Sequence, residues 1–215
     1  MKYTILTTWK EELLTTAVIA ACLALFFLFP AQGAAQGVTS SLIFLFLIPF
    51  LYLKLILKKN LKDYGWQLGN WKKGLLFASI SLVAALLIFY ALYHYTPLSK
   101  MYRLPSFAAG NFWLFLLYEF ILVSFFLALY EFFFRGFVLF SFLPKTGWFS
   151  ILIQFAIFLI FLAIAGNLVW QNSFYIIIAA FAGLTTLKSR SLVYSFAFGL
   201  LFSLISDAIL IKLLY

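Results

Sequence analysis

Three acidic side chains interrupt long apolar runs of the sequence. Glu119, Glu131 and Asp207 lie inside such runs, whereas the other three of the six acidic residues flank them. If the runs cross a membrane, each buried charge costs at least about 2.5 kcal/mol, and such groups usually face the bundle interior or a water-filled cavity. These carboxyl groups are therefore the first candidates for chemistry or binding.

Glu131 precedes Arg135 by four residues in the stretch YEFFFRGF, residues 130 to 137. Residues four apart on a helix share a face, so the carboxylate and the guanidinium can pair. A structural pair would let the helix end lie near the membrane interface, with the arginine reaching towards phosphates. A chemically active pair would keep Glu131 ionised and oriented to act on a water as a general base. Both interpretations stay open at this point.

The last apolar run, residues 191–213, combines Asp207 with several serines. Serines are typical of membrane helices, where they pack closely and bond their own backbone. Asp207 is different, because a carboxylate at membrane depth needs a partner. Lys188 and Arg190 stand near the start of the same run, more than about three helical turns away. We therefore expect Asp207 to be protonated or to meet a partner from another helix.

Membrane helices are the elements that must position these residues. Of the 215 residues, 66% are hydrophobic and only 10% charged, and the mean hydropathy of +1.10 far exceeds that of soluble domains. A hydrocarbon core of ~30 Å needs about 20 apolar residues per helix. The sequence thus predicts one all-α, polytopic integral membrane bundle over residues 1–215 with about seven spans. The spans are 13–30, 41–57, 74–93, 112–143, 147–165, 168–187 and 191–213.

The run 112–143 is too long for one straight crossing, since about 32 residues make ~48 Å of helix. It must tilt, protrude or break, and Gly136 and Pro144 are the expected positions of a kink and a stop.

The net charge of +9 indicates a lipid surface as the partner, not nucleic acid, because the basic residues flank the apolar runs. With the N-terminus in the cytoplasm, twelve of the fifteen lysines and arginines, Lys2 among them, fall on the cytoplasmic side, leaving Lys100, Arg103 and Lys212 outside. This asymmetry predicts a multi-pass protein with a cytoplasmic N-terminus.

Residues that commonly bind metals or cofactors are scarce. Cys22 is the only cysteine and His94 the only histidine, so the sequence contains no Cys/His cluster. Zinc-binding and phosphate-binding motifs do not occur. We expect neither a metal nor a cofactor.

The stretch from Glu131 to Gly136, EFFFRG, resembles the first motif of the CPBP family. This family contains the CAAX proteases and bacteriocin-processing proteins, also called Abi proteins or type II CAAX-prenyl endopeptidases. Its first motif has two adjacent glutamates, three residues that are often aromatic, then Arg-Gly. Segment 61–76 is similar to the family's segment before its core, and segments 147–162 and 183–207 are similar to its later core, so the resemblance covers roughly residues 60–207.

The resemblance implies a bundle in a prokaryotic cell membrane, with a conical cavity open to the cytoplasm. There a glutamate and a histidine would activate a water, and a second histidine with an asparagine would form an oxyanion hole. Glu131 and Arg135 match the first motif, with Tyr130 in place of its first glutamate. Phe158 matches the second motif. The other positions depart from the family pattern: Leu162 and Gly199 replace the histidines, and Ser203 replaces the asparagine.

Leu162 and Gly199 offer no side-chain donor where a protease of this kind needs one. Loss of a single oxyanion donor costs about 2.7–4 kcal/mol in a known protease. The leading interpretation is therefore a CPBP-type membrane protein whose active site is degenerate, with a binding or regulatory role towards a membrane protein or peptide.

Two alternatives remain. The first is an active intramembrane endopeptidase with Glu131 as the base and Arg135 as its orienter. Its further donors and second carboxyl would come from Tyr130, Ser203, Glu119 and Asp207. The second is a small transporter or channel in which the three buried acids line a polar path. A common cavity open to the cytoplasm would favour the protease, and a continuous route across the bilayer would favour transport.

Overall fold

The computed structural model describes residues 9–30, 32–101 and 104–214. Within these ranges the chain forms helices and no strand, which confirms the all-α prediction. Lys2, predicted on the cytoplasmic side, and Arg103, predicted outside, lie outside the described residues.

The described part of the chain contains seven long helices. They are α1 (Lys10–Leu28), α2 (Ala34–Ile56), α3 (Trp71–Tyr95), α4 (residues 112–146), α5 (Ser150–Ile164), α6 (Ser173–Ser189) and α7 (Leu192–Leu214). Short helical turns occur at Leu61–Tyr64, Leu98–Met101, Ser106–Ala109, Gly147–Phe149 and Trp170–Asn172.

Five helical stretches are long and apolar enough to cross a membrane. They are α1, α2, α3, the 53-residue stretch Phe112–Ile164 that contains α4 and α5, and Leu192–Leu213 within α7. The chain is therefore a multi-pass membrane protein. Helix α6 has 17 residues, which give about 25 Å of helix.

Helices α4 and α5 form a hairpin that reverses at Gly147. This glycine has φ +56°, a left-handed backbone that favours a residue without Cβ. Beyond the turn, Phe158 and Phe161 pack against Phe134, with ring centroids 5.0 and 5.7 Å apart. The expected stop at Pro144 is wrong, because Pro144 lies inside α4 and the helix ends at Thr146. Gly136 lies within a π-helical segment of α4, and the kink expected there stays a prediction.

Helix α4 contains two π-helical segments, Tyr118–Val123 and Glu131–Leu139. π-helical turns are rare in proteins as a whole, but those that occur often lie at functional sites. Glu119 lies in the first segment and Glu131 begins the second. All nine residues of the second segment are buried, so this part of α4 forms the centre of the bundle.

Two connections interlock at one end of the bundle. The amide of Asn70 donates to the Ser189 carbonyl at 2.8 Å, and the amide of Leu192 donates to the Gly65 carbonyl at 3.0 Å. Gly69 has φ +54°, and a Cβ there would lie 2.1 Å from the Ser189 carbonyl oxygen, so only glycine fits. These contacts fix the α2–α3 connection against the α6–α7 turn.

The same end carries most of the described basic residues, and we call it the basic end. Lys59 pairs with Glu11 at 2.9 Å, which joins the end of α2 to the start of α1. Lys145, near the Gly147 turn, lies 5.6 Å from the centre of the Trp9 ring. At the opposite end, the α5–α6 connection meets the segment after α3, where the Gln171 amide donates to the Met101 carbonyl at 2.6 Å.

Candidate functional site

Glu131 and Arg135 form an enclosed ion pair in the basic half of the bundle. Their side chains are 2% and 1% exposed, and Arg135 Nη1 lies 3.7 Å from Glu131 Oε1. The same nitrogen donates to the Tyr130 carbonyl at 3.4 Å. The guanidinium also lies 5.7 Å from the ring centroid of Phe158, within range of a cation–π contact. The pairing indicated by the four-residue spacing is therefore present, and Phe158 reinforces it from α5.

Two hydroxyl groups complete the Glu131 environment. Ser195 donates to Glu131 Oε2 at 2.6 Å, and Thr186 donates to the Ser195 oxygen at 2.7 Å. Both residues are fully buried, one on α7 and one on α6. The chain of donors gives the Glu131 carboxylate a charge-assisted hydrogen bond in addition to the guanidinium. We call these four residues, Glu131, Arg135, Ser195 and Thr186, the ion-pair cluster.

Sequence reasoning missed Ser195 and Thr186. Ser195 lies one helical turn before Gly199, on the serine-bearing face of α7, and this spacing could have indicated it as a candidate. The sequence does not show that this face contacts Glu131, because the two residues are 64 positions apart.

Apolar packing surrounds the two positions where a protease would need histidine. Leu162 is buried in the aromatic core around Phe134 and Phe158. At Gly199, a Cβ would come within 3.1 Å of Leu127 and 3.3 Å of Ile178. Neither position offers a side-chain donor, and at Gly199 an added side chain would require its neighbours to move.

Tyr130 lies next to Glu131 in sequence, but its ring packs among aromatic side chains. Its centroid lies 6.1 Å from Phe158, 5.9 Å from Phe161 and 6.1 Å from Tyr175. These contacts assign Tyr130 a packing role between α4, α5 and α6.

Comparisons of the chain with protein-family models, with curated proteins and with solved structures each find no match. The function has therefore to be inferred from the residues and their geometry.

Glu119 and Asp207 meet in the other half of the bundle, where we call them the carboxyl pair. Glu119 is 0% and Asp207 2% exposed. The Asp207 carboxyl and the Ser203 hydroxyl are the groups that interact with the Glu119 carboxyl. Neither Oε atom of Glu119 completes a hydrogen bond of good geometry in the described structure. Two unit charges 4 Å apart repel by about 4 kcal/mol at an effective dielectric of 20. Ionisation of either carboxyl therefore disfavours ionisation of the other.

The three buried acids thus belong to two separate sites. Glu119 and Glu131 are twelve residues apart on α4, which corresponds to about 18 Å along the helix axis. Between them, Leu127 and Ile178 pack against Gly199. Asp207 lines one cavity of the described structure and Glu131 lines another.

A cavity adjoins each site. One of about 230 Å³ is lined by Asp207 and Ser203, together with Tyr118, Tyr175, Gln171 and Asn172. The other is an apolar groove of about 630 Å³ on the side of the bundle. Glu131 contributes to its wall, and the remaining wall is mainly apolar, including Phe46, Phe132 and Phe196.

Proposed function

We propose that the protein is a CPBP-like membrane protein that retains the Glu131–Arg135 pair for structure and does not cleave peptide bonds. Its role is to bind or regulate a membrane protein or peptide. We further propose that its seven long helices each cross a prokaryotic cell membrane, with the N-terminus and the basic end in the cytoplasm.

The alternation of the chain between two ends of the bundle supports the seven crossings. The turns near residues 57–70, 147 and 190 lie at the basic end, and the connections near 101 and 171 lie at the opposite end. Basic residues concentrate on the cytoplasmic side of membrane proteins. The clustering of Lys54, Lys58, Lys59, Lys62, Lys72, Lys73, Lys145, Lys188 and Arg190 at or near one end supports the orientation.

The observation that carries the non-catalytic assignment is the enclosure of Glu131. Its Oε2 accepts a hydrogen bond from Ser195 and its Oε1 faces Arg135, with 2% of the side chain exposed. A general base must reach the water that it activates, and the oxyanion that follows needs donors. The packing at Leu162 and Gly199 supplies none.

The apolar groove beside Glu131 is the proposed place of the partner, and we assign it to a transmembrane segment of another protein. The groove opens on the lateral face between α2, α4 and α7, where a membrane-embedded segment arrives from the bilayer. Its wall is apolar apart from Gln67 and Glu131, and Glu131 is already compensated by Arg135. An apolar helix therefore fits without burying an unpaired charge.

A second candidate, an active endopeptidase, is favoured by one observation. Glu131 Oε1 and Arg135 Nε are buried without a hydrogen-bond partner in the described structure. A water bound between them would satisfy both atoms and would stand next to a potential base.

One experiment separates the two candidates. The wild-type protein, Glu131→Gln and the matched control Glu119→Gln are expressed at equal levels, and new N-termini among membrane proteins are mapped by mass spectrometry. We expect no terminus that depends on Glu131. Cleavage products present with wild type and Glu119→Gln but absent with Glu131→Gln would establish the endopeptidase.

Photocrosslinking tests the groove. A photoreactive amino acid at Phe46 or Phe196 is compared with one at Leu201, which is 50% exposed outside the groove. We expect the two groove positions to capture the same identified membrane protein and Leu201 to capture lipid. Lipid adducts alone at all three positions would refute the partner assignment.

A further inference from the structure

All three acidic residues that lie outside the apolar runs line one cavity at the basic end, which we call the acid-lined cavity. Glu11 and Glu12 come from the start of α1, and Asp63 comes from the α2–α3 connection. The cavity has a volume of about 700 Å³, which lies within the usual range for ligand sites. Asp63 and Arg190 are exposed in its wall, so the cavity is open to the aqueous phase.

The acids of this wall outnumber the cations that pair with them. Lys59 Nζ lies 2.9 Å from Glu11 Oε1 and donates to Glu11 Oε2 at 3.1 Å, so this pair is neutral. Glu12 Oε2 is buried and accepts no hydrogen bond from the described residues. Arg190 also lines the cavity, but no ion pair among the described residues joins it to Glu12 or Asp63. A buried acceptor without a donor is costly, and a cationic donor would satisfy it.

The two interlocked connections separate the acid-lined cavity from the apolar groove. In the α2–α3 connection, Tyr64 lines the cavity, Trp66 lines the groove, and Gln67 contributes to both walls. In the α6–α7 turn, Arg190 lines the cavity and Leu192 lines the groove. The cavity therefore adjoins the groove at the basic end, and a helix that leaves the groove at this end emerges beside the cavity.

A transmembrane segment in the groove would bring positive charge to this place. The residues that follow a membrane helix on the cytoplasmic side are enriched in lysine and arginine. Most charged residues at the basic end are themselves basic and would repel such a side chain. In the acid-lined cavity it would instead meet Glu12 and Asp63. An ammonium or guanidinium group carries several donors, one of which can satisfy Glu12 Oε2.

We propose that the acid-lined cavity binds a lysine or arginine side chain of the partner, directly after the transmembrane segment that occupies the groove. Glu12 and Asp63 are the residues that bind this cation. The inference rests on the proposed function, because it takes the groove as the partner's site. It adds the chemistry of the partner, which is an apolar helix with a basic cytoplasmic end.

Binding of synthetic helices tests the proposal. Three peptides share one apolar helix of about 20 residues, long enough to span a bilayer. They carry lysines, serines or glutamates at both ends, so their orientation in the bilayer does not matter. The full-length protein with a photoreactive amino acid at Phe196, in the groove, is reconstituted in phosphatidylcholine liposomes, and crosslinking is titrated against each peptide. We expect half-maximal crosslinking of the lysine peptide at a concentration about fivefold lower than that of the serine peptide.

Variants assign this preference to the acids of the cavity. Glu12→Gln/Asp63→Asn is expected to bind the lysine and serine peptides equally. Glu119→Gln, which removes an acid outside the cavity, is the matched control and should keep the preference. Asp63→Lys should weaken binding of the lysine peptide and strengthen binding of the glutamate peptide. Because Asp63 is exposed, this variant tests the proposal even if substitution of the half-buried Glu12 disturbs folding.

The outcomes distinguish this inference from the groove assignment. Equal crosslinking of the three peptides to the wild type would overturn the role of the cavity and leave the groove in place. A lysine preference that survives in Glu12→Gln/Asp63→Asn would overturn it as well. Crosslinking of none of the peptides would refute the groove and this inference together.

A lipid headgroup is the competing source of a cation. The titration is therefore repeated in liposomes that contain phosphatidylethanolamine, whose headgroup carries an ammonium group. An unchanged preference for the lysine peptide supports the partner's side chain as the ligand. Loss of the preference would assign the cavity to the lipid and overturn the proposal.

Discussion

The two halves of α4 bury the same type of side chain and stabilise it in opposite ways. Glu131 faces a guanidinium one turn along its own helix and receives a hydrogen bond from Ser195. Glu119 faces the carboxyl of Asp207. Both glutamates lie in π-helical segments and both are removed from water. Two carboxyls that are equally buried on one helix thus have opposite neighbours, a guanidinium beside Glu131 and a second carboxyl beside Glu119.

Arg135→Ala is expected to have the largest effect. It leaves Glu131 buried without its cation and removes one of the largest fully buried side chains. Loss of one partner of a buried pair costs about 3–5 kcal/mol of unfolding free energy. Reversible unfolding in mixed micelles, followed by tryptophan fluorescence, measures the loss. Lys54→Ala, at an exposed position, is the control and should change stability by less than about 0.5 kcal/mol. Equal losses of stability in the two variants would show that the ion-pair cluster does not stabilise the fold more than an exposed lysine does.

Glu131→Gln should cost less, about 2–3 kcal/mol. The amide oxygen can still accept from Ser195, and Arg135 retains the Tyr130 carbonyl and the Phe158 ring. The same unfolding assay ranks it against Arg135→Ala. If Glu131→Gln were the more damaging change, the uncompensated arginine would be the dominant cost, and the carboxylate would be secondary.

Ser195→Ala tests the hydroxyl that reaches Glu131 from α7. A hydrogen bond to a charged group contributes more than one between neutral groups, so we expect a loss of about 1.5–2 kcal/mol. Ser203→Ala is the matched control eight residues later on the same helix, where the hydroxyl adjoins the carboxyl pair. Its loss should be about 0.5–1 kcal/mol, because Ser203 is only half-buried. Equal losses would indicate that the hydrogen bond from Ser195 to Glu131 contributes no more to stability than the contact of Ser203.

Glu119→Gln should have the smallest effect, about 1 kcal/mol or less, because it replaces one of two neighbouring carboxyls by a neutral group and so removes their mutual repulsion. The difference in unfolding free energy between Glu131→Gln and Glu119→Gln, measured in one assay, then compares the two regions directly. A loss at Glu119 as large as that at Glu131 would show that the neighbouring Asp207 carboxyl does not penalise Glu119.

Local sequence signals predicted what depends on local geometry. Composition and apolar runs predicted a helical membrane bundle, and the four-residue spacing predicted that Arg135 faces Glu131. The contacts between helices were beyond this reasoning. Ser195 meets Glu131 and Asp207 meets Glu119 only because α7 packs along α4, and no local pattern specifies which faces of two apolar helices meet. The turn of the α4–α5 hairpin was misplaced for a related reason. Proline is tolerated in the last turns of α4, and the reversal depends on the torsion of Gly147.

Helix α7 supplies partners to both glutamates of α4, and this has a consequence for biosynthesis. A chain made from its N-terminus inserts α4 before α7 exists, so Glu119 first enters the membrane without Asp207 and Glu131 without Ser195. Arg135 lies on α4 itself, and Glu131 therefore arrives with its counter-ion already attached to the same helix. Glu119 has no basic residue within one turn on α4, so α4 inserts this carboxyl without a counter-ion on its own helix. The two glutamates therefore impose different costs on the insertion of α4.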